Sequence, residues 1–159
     1  MASRPSGRPG GDGEGNMSVY TERFQGIMEQ YSEALEKAGK TRRLAGGLFG
    51  LGGGPGDDPC HDAMDKQVGE LAEQFLADED ALEEAALLVS DILKAEKSRE
   101  WTPAAKWAVL AIQRYTIPLI PEIGPEDRKE LAAWYTDAYP KRQRLPIQKQ
   151  IVKELEKEK

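Results

Sequence analysis

The most reactive-looking residues in this chain are a neighbouring pair, Cys60 and His61, the only cysteine and the only histidine in the sequence. The pair follows Asp58-Pro59, an N-cap and first-turn proline that open a helix, so Cys60 falls in the first turn, where the helix dipole lowers a thiol pKa. Thiol chemistry is one reading of this arrangement. Metal binding through His61, Asp65 and Cys60 is another. Both meet obstacles. Asp57, Asp58, Asp62 and Asp65 surround the site, and negative charge disfavours a thiolate. Adjacent helical residues point about 100° apart, which keeps Cys60 from bonding directly to His61. A stable zinc site also wants three or four ligands, so carboxylates would have to complete the set. The bland alternative is a helix-capping segment with an incidental cysteine.

Two further clusters invite attention. Between residues 40 and 58 seven glycines alternate with Leu44, Leu48, Phe49 and Leu51. The tripeptide Gly39-Lys40-Thr41 resembles the end of a phosphate-binding loop. It lacks the earlier glycine, the preceding strand and the following helix that such a loop requires, so no nucleotide cofactor is expected. Apolar side chains spaced by glycine suit a flexible linker, or an adaptable patch for a protein partner. The second cluster is basic: Lys141, Arg142 and Arg144, with Lys149 and Lys153 on the segment after them. Trp134, Tyr135 and Tyr139 precede it, and cations beside aromatics can bind single-stranded nucleic acid. Against that, Glu154, Glu156 and Glu158 dilute the charge, and Trp134 and Tyr135 fit a core role.

The acids Glu70, Glu73, Asp78, Glu79, Asp80, Glu83 and Glu84 lie on polar faces and near helix ends, which reads as solvated surface. Paired carboxylates do acid–base work only in opposed environments within a cleft. No Glu-x-x-His pair exists, so a di-iron bundle is disfavoured. No cofactor motif is present.

The elements that must position these residues are helical. Tyr20, Phe24, Ile27, Met28, Tyr31, Leu35 and Ala38 recur with the period of one helix face. Helices are expected at about 18–38, 59–77, 80–98, 102–118, 125–139 and 146–157, with a flexible glycine-rich loop at 40–58. Met64, Val68, Leu71 and Phe75 form the second buried stripe. Thr102-Pro103 and Gly124-Pro125 are further helix starts. The 102–118 helix is apolar on most sides, Trp107 included, which marks a central element. No segment alternates with period two, so no sheet is expected. The fold class is all-α: an irregular antiparallel bundle of five to six helices at 18–159, preceded by a disordered leader at 1–17.

The net charge of −6 over 159 residues is uneven. Residues 59–100 hold 12 acids against 4 bases, whereas 101–159 hold 11 bases against 8 acids. An acidic chain is a poor general nucleic-acid ligand, because neutralising phosphate needs a positive face. A lone cysteine permits no intrachain disulfide, which suits a reducing compartment such as the cytoplasm. The leader carries no apolar run, and the longest apolar stretch is broken by Gln113, Arg114 and Pro118, so no membrane partner is expected. Together these features favour a non-catalytic protein–protein interaction or regulatory module, with homo-oligomerisation open. The alternatives are a thiol- or metal-dependent enzyme at Cys60 and His61, and a weak nucleic-acid binder through residues 141–153.

Overall fold

The computed structural model describes the backbone of residues 19–49 and 58–157, and side chains at 19–39 and 59–157. Within them the chain is all-α, with no strand. The α-helices are α1 (Val19–Phe49), α2 (Asp58–Ala77), α3 (Ala85–Lys94), α4 (Pro103–Ala111), α5 (Pro125–Ala138) and α6 (Pro146–Leu155). Short 3₁₀ turns at Glu79–Glu84, Ala95–Lys97, Ile112–Thr116, Ile120–Glu122 and Lys141–Gln143 join them. No described helix is long and apolar enough to cross a membrane.

The periodic stripes pack as their spacing requires. Phe24, Met28 and Tyr31 of α1 meet Met64, Val68, Leu71 and Phe75 of α2, all buried. Tyr20 closes this interface, its ring edge-on to Phe75 at 5.2 Å. Its hydroxyl donates to Asp78 at 2.9 Å. α3 occupies the middle: Leu88, Val89, Ile92 and Leu93 are fully buried, and it packs on α1, α5 and the turns at 112–116 and 120–122.

Three expectations need correction. The first helix does not stop at Gly39 but runs to Phe49, so residues 40–49 are helical rather than loop. Glycine after an apolar stripe permits a left-handed cap without compelling one. Here Lys40, Arg42, Arg43, Leu44 and Ala45 are good helix formers that carry the helix onward. Leu44, Leu48 and Phe49 therefore lie on helical backbone, Asp58 begins α2, and residues 50–57 of the expected loop, Leu51 included, fall outside the described residues.

The 80–98 and 102–118 helices are each subdivided, with α-helix only at Ala85–Lys94 and Pro103–Ala111. The cause is clearest in the second. Pro118 has no N–H and its ring crowds the carbonyl of residue 114, so the chain tightens beforehand. The Thr116 hydroxyl takes the Gln113 carbonyl at 2.7 Å and the Ile117 N–H takes that of Arg114 at 3.3 Å.

Trp107 is the third correction: it is 60% exposed, not inward. α4 buries Ala105, Val109 and Leu110 on one side only, and the central role passes to α3 and the 112–116 turn. That turn crosses α2 at Gly69, where a Cβ would come within 3.0 Å of the Tyr115 ring. The start of α4 is as expected, with Thr102 Oγ1 accepting from the Ala105 N–H at 3.3 Å.

Candidate functional site

Helix α2 carries Cys60, His61 and Asp65, all half-buried, and each is committed to a different neighbour. Cys60 packs against the edge of the core. Nδ1 of His61 lies 2.6 Å from the Tyr31 hydroxyl on α1. Asp65, one helical turn on, accepts from the Tyr115 hydroxyl at 2.8 Å and from Arg114 Nη2 at 2.9 Å. Burial, and then the hydrogen bond to Asp65, raise the Tyr115 pKa, so that hydroxyl remains a donor. Among the described residues no three His, Cys, Asp or Glu side chains gather closely enough to hold a metal ion.

The basic residues divide as well. Lys141 and Arg142 are exposed on the 141–143 turn, and Lys149 and Lys153 share the outer face of α6. Arg144 is half-buried and gives its Nε to the Tyr139 carbonyl at 2.8 Å, a structural commitment. Of the acids, Glu70, Glu73, Glu79, Asp80 and Glu83 are exposed, whereas Asp78 and Glu84 are half-buried. The Glu84 carboxyl is raised from its usual range, first by burial and then by Glu83 and Asp78.

The feature that the tertiary structure does assemble is a groove of about 510 Å³ between α4 and the chain from 138 to 148. One wall is α4, through Lys106, Trp107 and Leu110; the opposite wall is Tyr139, Gln143 and Leu145. Trp101 lines it too, with Glu96 and Lys97 of the 95–97 turn. The Trp101 indole is fixed by donating Nε1–H to the Ala95 carbonyl at 3.2 Å, and its ring leans on Tyr31 at 5.5 Å. Trp107 stands at the rim with most of its surface in water.

A buried polar chain runs behind the groove. Glu96 is only 7% exposed, and its Oε1 accepts from the Tyr139 hydroxyl at 2.8 Å. Lys97 Nζ stands 3.7 Å from the same oxygen. Tyr139 in turn accepts from Gln113 Nε2 at 3.4 Å, and Gln113 Oε1 accepts from the Tyr135 hydroxyl at 2.6 Å. Gln113 also donates to the Leu93 carbonyl at 3.3 Å. Burial holds the Tyr135 and Tyr139 phenols far above their usual pKa, and donation to Glu96 adds to the effect at Tyr139. This chain supplies no nucleophile. It fixes the orientation of Tyr139 and so sets the wall of the groove.

Cations line up against these aromatics. Lys94 Nζ lies 5.3 Å from the Trp134 centroid, Lys97 Nζ 5.0 Å from that of Tyr139, and Arg99 5.5 Å from that of Trp101. Each is within cation–π range. The sequence reading missed this site. Its visible trace was Gln113, a buried amide breaking an apolar run, but its partners lie 20 to 26 residues away.

No protein-family model, curated protein or solved structure matches the chain. The groove therefore stands on its own geometry.

Proposed function

We propose that this protein is a non-catalytic docking module that holds an acidic segment of a partner protein, anchored by an apolar side chain, in the groove beside Trp107. The supporting observation is the exposed Trp107 indole at the rim of a groove lined by Trp101, Leu110 and Leu145. Tryptophans in such positions act as binding hot spots, contributing about 2 kcal/mol or more once covered. The charge of the rim selects the partner. Lys97 and Lys106 line the groove against one carboxylate, Glu96, which is buried and paired with Lys97 and Tyr139, so Lys106 carries the uncompensated charge. An acidic peptide meets attraction there and a basic one meets repulsion. The lone cysteine suits work in a reducing cytoplasm.

A peptide-display selection on the immobilised protein, counter-selected against Trp107→Ala, tests this. The expected result is a consensus of acidic residues flanking an aromatic or aliphatic one, with affinity falling roughly tenfold or more in Trp107→Ala. Lys106→Glu should weaken the same peptides and flatten their loss with salt, because the attraction that salt screens is gone. Peptides that bind wild type and Trp107→Ala equally, or no enrichment at all, would overturn the proposal.

A further inference from the structure

We infer that a second groove, between α5 and the end of α6, binds a carboxylate carried on an apolar chain, as in a fatty-acid-type ligand. This groove measures about 690 Å³. Its walls are mostly apolar, from Pro125, Ala132, Ala133 and Leu155. Its charges are mostly positive, with Arg128, Lys129 and Lys157 against Glu156.

Arg128 is the residue that asks for a ligand. It lines the groove, yet it is only 4% exposed. A guanidinium is always charged and offers five N–H donors. Nη1 donates to the Lys157 carbonyl at 3.0 Å, two residues past the end of α6. Nε is buried and has no hydrogen-bond partner. Among the described residues Arg128 forms no ion pair, although Glu126, Asp127 and Glu130 are close to it in sequence and exposed. A buried charge without a counter-charge is costly, and an orphaned buried donor adds to that cost.

The bond to Lys157 accounts for one N–H of the five, and a carboxylate would account for two more. Approaching the guanidinium side-on it takes two parallel N–H bonds, Nε among them, in the fork geometry that arginine favours. Lys129 and Lys157 add long-range attraction. The small side chains of Ala132 and Ala133 leave room along α5 for an alkyl chain, which would lie against Pro125 and Leu155. A phosphate or acetate would satisfy the charge but leave that apolar wall in water.

The test is titration of the full chain with decanoate, read by calorimetry and by the arginine Nε–H resonances in nitrogen-15 spectra. Decanol supplies the chain without the charge, acetate and inorganic phosphate the charge without the chain. Saturable one-to-one binding of decanoate is expected, with one Nε–H resonance moving and with the controls at least roughly tenfold weaker. Arg128→Met should weaken decanoate by roughly ten- to a hundredfold and remove that resonance. Ala133 is exposed, so Ala133→Phe fills the groove without disturbing the core and should abolish binding even if Arg128→Met fails to fold. Decanoate binding no better than decanol, or binding unchanged in Ala133→Phe, overturns the inference.

Discussion

Replacing Gln113 by methionine keeps the volume of a fully buried side chain and removes its hydrogen bonds. The short bond from the Tyr135 hydroxyl, 2.6 Å, is the main loss, because Tyr135 is itself fully buried and its donor would be orphaned. An orphaned buried hydroxyl costs about 1–3 kcal/mol. The bonds to Leu93 and Tyr139 are long, 3.3 and 3.4 Å, and Tyr139 keeps its bond to Glu96, so they add about 1 kcal/mol at most. The expected destabilisation is about 1–4 kcal/mol, a sizeable share of the roughly 5–15 kcal/mol that holds a domain folded. Urea unfolding followed by tryptophan fluorescence measures it, with the denaturant slope unchanged if only the native state is affected. Adding Tyr135→Phe removes the orphaned donor. The double variant should then recover about 1 kcal/mol or more relative to the sum of the single changes. A single-variant cost below about 0.5 kcal/mol, or strict additivity, would refute the polar chain as a unit.

Two other predictions concern the packed tyrosines. Tyr135 and Tyr139 have raised folded pKa values, so their contribution is fully present below the unfolded phenol pKa of 10.0 and is lost as pH rises beyond it. Above that point stability should fall by roughly 1.4 kcal/mol per pH unit for each phenol, and Tyr135→Phe with Tyr139→Phe should flatten the alkaline limb of a urea-midpoint profile. A limb of unchanged slope would contradict the assignment. Gly69→Ala gains about 1 kcal/mol of helix propensity but drives a Cβ against the Tyr115 ring, which is tethered to Asp65 and Arg114. Overpacking of about 1–3 kcal/mol should win, giving net destabilisation in wild type and net stabilisation in a Tyr115→Leu background. Thermal melts of the four proteins would show that reversal of sign or disprove it.

Much of the framework was legible along the chain. Met64, Val68, Leu71 and Phe75 on α2 have the helical period and a proline start, and all four are buried. Thr102 caps as its type and position imply. The end of α1 was not legible, because Gly39 tolerates helical and left-handed backbone alike and later residues decide between them. The side Trp107 faces was not legible either. A nine-residue helix that is apolar on most sides has no clearly preferred face in sequence, and the neighbours that cover Val109 leave Trp107 in water.

The candidate chemistry failed to converge for a related reason. Cys60, His61 and Asp65 are close in sequence, yet α1 claims His61 through Tyr31 and the 112–116 turn claims Asp65. The sequence by itself determined the all-α class and the inward stripes, since both follow from local propensity and from a period set by backbone geometry. Only the tertiary structure decided which polar groups meet. Glu96 reaches Tyr139 across 43 residues, Gln113 reaches Tyr135 across 22, and Arg128 reaches the Lys157 carbonyl across 29. Those meetings depend on the order in which helices pack, and no local pattern encodes that order. The grooves they shape belong to the fold as a whole.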